Sequence, residues 1–225
     1  MDLSWEFPYK SQRMPILAQN VVATSQPLAA EAGLNALRRG GNAVDAALAT
    51  AIALTVVEPT SNGIGSDAFA IVWDGEQLYG LNASGRSPQA LDPEKFAGMD
   101  TMPTVGWDPV TVPGAVSAWV ALSERFGKLR FTALFEDTIR YAREGYLVSP
   151  ITAAAWARSE QRYSAFASFG ATFLPKGRAP RPGERFRSPD HAATLETIAE
   201  TRGEAFYRGS LAERITAYAE TTGGL

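Results

Sequence analysis

The sequence predicts an α+β protein, and three observations lead to that class. Two capped helical stretches follow one another between Ser25 and Val57, an alternating apolar run from Phe69 to Trp73 ends at the turn signal Asp74-Gly75, and helical periodicity resumes from Pro113.

The first helix is expected to start at Ser25 as N-cap with Pro27 in its first turn. Leu28, Leu34 and Leu37 recur at near-helical spacing until Arg38-Arg39 and Gly40-Gly41 end it. Asn42 is placed to cap a second helix, Ala43 to about Val57, whose many small residues allow another element to come close. That run contains Asp45 and is shorter than the roughly 20 residues a membrane span needs, so a buried helix is expected. Glu58-Pro59 closes it, and Thr60 to Asp67 reads as a polar, glycine-containing loop. Phe69, Ile71 and Trp73 then alternate with smaller residues, and Gln77 to Leu81 returns as the second strand of a hairpin with a two-residue turn. This strand runs into Asn82-Ala83-Ser84-Gly85-Arg86-Ser87-Pro88, where Arg86 is the first charge. Gly114 to Phe126, Phe131 to Glu144 and Thr152 to about Ala167 read as helices. Pro175 to Pro189 reads as a surface loop or cover, Asp190 as the cap of a helix from His191 to about Arg202, and Ser210 to Thr222 as the last helix. No repeat, low-complexity tract or linker divides the chain, so residues 1–225 are expected to form a single domain.

Composition narrows the function classes. Of 225 residues, 45% are hydrophobic and 20% charged, enough for a sizeable core, and a net charge of -3 without basic runs argues against nucleic acid as a partner. Zero cysteines removes thiolate chemistry and disulfides. The acidic start, Met1-Asp2-Leu3-Ser4-Trp5-Glu6, lacks the charge and apolar region of a secretory signal, and a cytoplasmic location is expected.

Several candidate sites compete. The stretch Gly63 to Asp67 reads either as a phosphate cradle or as a structural bend. It follows a helix and opens a strand, the reverse of a phosphate loop, and has no Walker lysine, which favours the bend. His191 is the chain's one histidine and reads as a partly exposed first-turn residue. Asp45, Glu58, Asp67 and Asp74 lie on separate elements, so neither a metal nor another cofactor is expected. Arg86 carries two readings. A guanidinium at a strand end among small turn residues presents a bidentate fork to a carboxylate, or it is a surface arginine or an ion-pair partner of Asp67 or Asp74.

The run "VVATSQPLAAEAGLNALRRGGNAVDAALATAIALTVVEPTSNGIG" and the segment "NASGRSP" closely resemble the N-terminal half of the gamma-glutamyltransferases, the gamma-glutamyltranspeptidase family of N-terminal-nucleophile hydrolases. The match continues through "VTVPGAVSAWVALSERFGKL", "AREGYLVS" and "AFYRGSLAERI". The resemblance implies a four-layer αββα sandwich, of which this chain is the N-terminal, large-subunit portion. It further implies a precursor that cuts itself to expose a threonine at the start of a smaller C-terminal subunit. That threonine would attack gamma-glutamyl carbonyls of glutathione-type substrates, with its own α-amino group as base, and pass the acyl group to water or an amine. Arg86 in "SGRSP" matches the family's carboxylate-holding arginine, though Ser87 stands where relatives usually carry glutamate.

Ser66-Asp67 replaces an all-glycine run, as in an apparently cytoplasmic branch. On this resemblance Gly63, Gly65, Ser66 and Asp67 are expected to support the site and not to touch substrate. No catalytic threonine is expected within these residues, because Thr221-Thr222-Gly223 leaves no strand to follow. The expected partners are the C-terminal subunit of the same precursor and a small gamma-glutamyl substrate, with no nucleic acid and no membrane. The alternatives are a related amide acylase of the cephalosporin type and a non-catalytic truncated fragment acting as a binding module.

Overall fold

The computed structural model describes residues 15–224, and the acidic start Met1–Glu6 lies outside them. Helix α1 (Pro27–Arg38) begins one residue later than its sequence suggests. Gln26 is the N-cap, its Oε1 accepting from the amides of Leu28 and Ala29 at 2.6 and 3.3 Å. Ser25 instead donates to the Glu58 carboxylate at 2.7 Å, joining the start of α1 to the end of α2 (Ala43–Val57). The contact face of α1 is not its leucines but Ala29, Ala32, Gly33 and Ala36. A methyl group on Gly33 would stand 2.3 Å from Thr50 Oγ1, so the two helices approach as closely as they do because that side chain is missing. Helix α2 opens with a reciprocal capping box between Asn42 and Asp45, and Leu48, Ile52, Ala53, Val56 and Val57 are buried along it.

Strands β1 (Ala68–Trp73) and β2 (Leu78–Ala83) form the antiparallel hairpin, with Ala68 opposite Ala83 and Trp73 opposite Leu78. The connection is four residues, not two. The Asp74 carboxylate accepts from the amides of Glu76 and Gln77 at 2.9 and 2.8 Å, which stabilises the longer turn. The two faces differ sharply. Small side chains of β1 and Tyr79, Leu81 and Ala83 of β2 are half-buried on the side of α3 (Ala115–Phe126), whereas Phe69, Ile71, Trp73 and Leu78 stand on the other side, 62 to 80% exposed.

After α3 the expected helix from Phe131 is broken into a 3-10 turn (Phe131–Leu134) and α4 (Glu136–Glu144), with the fully buried Phe135 at the joint. Phe131, Leu134 and Phe135 are all buried, at the i, i+3, i+4 spacing that keeps one face toward the core through the joint. Strand β3 (Tyr146–Leu147), α5 (Pro150–Tyr163) and α6 (Ala167–Phe173) follow.

The stretch Pro175 to Pro189 is pinned and partly internal. Strand β4 (Arg185–Phe186) pairs with β3, Phe186 is 2% exposed, and Arg178 grips Glu184 through two bonds of 2.8 and 2.9 Å, holding that carboxyl well below the usual carboxylate range. Helix α7 (Pro189–Thr201) has Ser188 as N-cap, and Asp190 lies within its first turn. A short helix unforeseen in the sequence, α8 (Glu204–Arg208), precedes α9 (Ser210–Thr222). One core cluster runs from Ala29 to Leu211. No helix among the described residues is long and apolar enough to cross a membrane.

Candidate functional site

The chain leaving β2 meets the segment Thr111–Gly114 almost backbone to backbone, and two glycines make this possible. Gly85 has φ +79°, and a methyl group there would lie 2.0 Å from the Val112 carbonyl oxygen. On the other strand of the crossing, a methyl group on Gly114 would lie 1.9 Å from the Ala83 carbonyl oxygen. Bonds then lock the crossing. The Val112 amide donates to the Arg86 carbonyl at 2.9 Å, and Thr111 Oγ1 donates to the Ser84 carbonyl at 3.2 Å.

Arg86 is thus fixed through its backbone while its side chain stays exposed. Among the described residues its guanidinium has no hydrogen bond and no ion pair, and neither Asp67 nor Asp74 approaches it as a salt-bridge partner. It lines an open groove of about 600 Å³ with Ser84, Ser117 and Tyr207. The arrangement offers a planar cation to solvent at the edge of a concave surface, a setting suited to a carboxylate.

The loop Gly63 to Asp67 lies next to this groove through its backbone. The Ser66 amide turns back to the Gly63 carbonyl at 3.1 Å, and the Ser66 carbonyl accepts from the amides of Gly114 and Ala115 at 3.1 and 2.9 Å. This loop therefore satisfies orphan donors at the start of α3. A further donor of that first turn, the Ser117 amide, gives its hydrogen to the Tyr207 hydroxyl at 2.9 Å, and Tyr207 donates in turn to the Pro113 carbonyl at 2.7 Å. Gly63 and Gly65 have ordinary negative φ, and a methyl group on Gly65 would meet nothing within 4 Å. Asp67 is exposed, and its carboxylate has no hydrogen bond or ion pair among the described residues.

The structure thus brings Arg86 and Ser66 to the two ends of one crossing, and adds Gly85, Gly114, Val112 and Tyr207. None of these four was singled out by motif or spacing. The one clue was Val-Pro-Gly immediately before a helix. Asp45 and Glu58 stand elsewhere, on α2 and at its end. Among the described residues no three His, Asp or Glu side chains cluster closely enough to hold a metal ion. His191 is half-buried at the start of α7, and burial pushes its imidazole down to about 4. Thr222 closes α9, accepting from the Trp107 indole at 2.9 Å and donating to the Tyr218 carbonyl at 2.6 Å.

The model of the family described as Gamma-glutamyltranspeptidase matches residues 29–225. A glutathione hydrolase-like YwrD proenzyme of Bacillus subtilis is 35% identical over 91% of this chain and 40% of its own length. Among solved structures, the cephalosporin acylase of Bacillus halodurans superposes with a TM-score of 0.87 and 50% identity, over 100% of this chain and 44% of that one. A gamma-glutamyltranspeptidase of Pseudomonas nitroreducens, complexed with L-DON, superposes with a TM-score of 0.84 and 31% identity, over 93% of this chain and 63% of that one. The chain thus spans about two fifths of the curated relative's length, and its fold is the N-terminal-nucleophile hydrolase fold of these neighbours.

Proposed function

From the premise that this chain belongs to the gamma-glutamyltranspeptidase family, we propose that it is the carboxylate-anchoring part of an enzyme that hydrolyses or transfers gamma-glutamyl groups. The observation that carries this reading is the Arg86 guanidinium, free of protein partners among the described residues and fixed by its backbone at the edge of a groove. In this scheme Arg86 forks the substrate α-carboxylate and so holds the gamma-amide carbonyl in register with a nucleophile. The nucleophile is a threonine of a second polypeptide from the same precursor. Its Oγ bonds to the carbonyl carbon while its α-amino group takes the hydroxyl proton. The tetrahedral oxyanion collapses, the carbon–nitrogen bond breaks, and the leaving amine receives that proton. Water or an amino acid then attacks the acyl ester, the carbon–Oγ bond breaks, and the proton given up by the attacking group passes through the α-amino group to the threonine oxygen. Of Gly63, Gly65, Ser66 and Asp67, Ser66 acts as support through its carbonyl at the start of α3, with the Gly63 carbonyl holding the Ser66 amide. A cytoplasmic location belongs to the same proposal and is checked by fractionating cells that express the complete protein.

The test is Arg86→Lys in the complete enzyme, assayed on gamma-glutamyl-p-nitroanilide and on 4-aminobutyryl-p-nitroanilide, which lacks the α-carboxylate. Lysine keeps the charge and loses the aligned second donor, so kcat/KM on the first substrate should fall about tenfold to a hundredfold, mainly through KM. On the second substrate, little should change. Equal losses on both, or none on either, remove Arg86 from the site.

A second reading is favoured by one observation, the 50% identity to a cephalosporin acylase along the whole chain. In that case Arg86 meets the terminal carboxylate of a different acyl group. Glutaryl-p-nitroanilide, which keeps a carboxylate and lacks the α-amine, separates the two. A higher kcat/KM on it than on the gamma-glutamyl anilide supports the acylase.

A further inference from the structure

We propose that Tyr207 is the positioning residue of the Arg86 anchor, acting from α8 through the start of α3. The inference rests on the Arg86 reading above and adds a residue to it. Arg86 owes its place to the Val112 amide on its carbonyl, at 2.9 Å. Val112 is exposed and lies in an irregular segment, so something must hold that segment against β2. The residue after it, Pro113, has no amide of its own to donate, leaving its carbonyl as its backbone handle. The Tyr207 hydroxyl donates to that carbonyl at 2.7 Å and accepts the Ser117 amide at 2.9 Å. One oxygen atom therefore bridges the two ends of the turn by which the chain enters α3.

On the opposite side, the Ser66 carbonyl takes the amides of Gly114 and Ala115. The turn is clamped from two sides, and the Arg86 bond hangs from it. Tyr207 is itself anchored, its ring set edge-on to Phe206 at 5.2 Å, and Phe206 is 6% exposed. Both hydrogen-bonding capacities of its hydroxyl are thereby engaged with protein, so Tyr207 contributes an apolar ring wall to the groove and no proton to the chemistry. No charged group takes part in the clamp, so it orders Arg86 without neutralising it.

The test uses the complete enzyme with Tyr207→Phe, which removes the oxygen and keeps the ring. On gamma-glutamyl-p-nitroanilide, KM should rise about threefold to tenfold with kcat nearly unchanged, the scale of one or two hydrogen bonds. On 4-aminobutyryl-p-nitroanilide nothing should change. Added to Arg86→Lys, the substitution should bring no further loss, because residues acting as one unit are not additive. Hydrogen exchange at the Val112 amide should quicken about tenfold, a readout that needs only folded protein and stays decisive where turnover is lost. Equal losses on both donors, multiplicative losses with Arg86→Lys, or unchanged Val112 exchange each overturn the inference. If Arg86→Lys itself leaves the gamma-glutamyl donor untouched, the Arg86 reading falls and this one with it. If Arg86→Lys acts and Tyr207→Phe does not, only Tyr207 loses its role.

Discussion

Replacing Asp45 by alanine should cost this fold more than any change at the candidate site. The Asp45 side chain is 0% exposed, and its two carboxylate oxygens accept from three backbone amides. Asn42 N stands at 2.9 Å, Lys128 N at 3.0 and 3.1 Å, and Leu129 N at 3.3 Å from both oxygens. One carboxylate thus closes the capping box of α2 and pins the link between α3 and the Phe131 turn, where a methyl group on Gly127 would stand 3.0 Å from Asp45 Oδ1. A hydrogen bond to a charged group is worth about 1.5–3 kcal/mol, and alanine would orphan all three donors in a closed space. Because the three share one acceptor and some of the loss is recovered by water, the total is about 3–5 kcal/mol. For a chain of this size that lowers Tm by on the order of 10 °C. The assay is calorimetry with a urea midpoint as cross-check, and Asp67→Ala, exposed and without a partner among the described residues, is the control expected within about 0.5 kcal/mol. Asp45→Asn should fall between, since one oxygen still accepts while its NH₂ faces a donor. A drop below about 1 kcal/mol for Asp45→Ala would refute the reasoning.

Two further outcomes follow from burial. Burial lowers the His191 pKa from 6.5 to about 4, so between those values the unfolded chain binds a proton that the folded chain refuses. Stability should therefore fall as pH drops through that window, by about 1–2 kcal/mol for a half-buried ring, and His191→Gln should flatten the trend in urea midpoints taken at pH 7 and pH 5. On the hairpin, exchanging Phe69, Ile71 and Trp73 for threonine should turn the 225-residue chain from a self-associating species into a soluble one by size-exclusion chromatography. In the complete precursor the same exchange should reduce the yield of processed enzyme. A chain that is already monomeric before the exchange contradicts the idea.

Local chemistry made much of the fold legible. Asn42 capping α2, the hairpin between Ala68 and Ala83, and α9 from Ser210 to Thr222 follow from caps, alternation and glycine stops acting over a few residues. Where the reading slipped, a distant partner decided. Ser25 is chemically a better N-cap than Gln26, but Glu58 claims its hydroxyl. The leucines of α1 mark its helical spacing, yet Gly33 and its alanine neighbours bury more closely because α2 presents Thr50 and Ala46 at short range. Asp45 looked like one scattered acid, and two of the three amides that explain it lie more than eighty residues away. At the site, Arg86 was legible as a charge among turn formers, whereas Gly85 and Gly114 by lacking a side chain, and Tyr207 by its hydroxyl, meet distant backbone groups that leave no trace in composition or period.

For the proposed anchor, that difference reflects what holding a carboxylate requires. An arginine held by an acidic neighbour is well ordered, but its charge is already matched, and an incoming carboxylate must displace that neighbour. An arginine held by nothing keeps its charge and samples many rotamers, losing side-chain entropy on binding. The clasp around Arg86 lies between the two, fixing the backbone while the side chain keeps its rotamers and still loses entropy on binding. The backbone is fixed by Val112, the crossing is tightened at Gly85 and Gly114, and the turn is clamped by the Ser66 carbonyl and the Tyr207 hydroxyl. All of these are neutral groups. Water hydrates the exposed guanidinium at little cost, so the unliganded state needs no counter-ion. For the proposed anchor, the full attraction is then reserved for the substrate. An acidic residue introduced beside Arg86 in place of Ser87 would trade part of it for order.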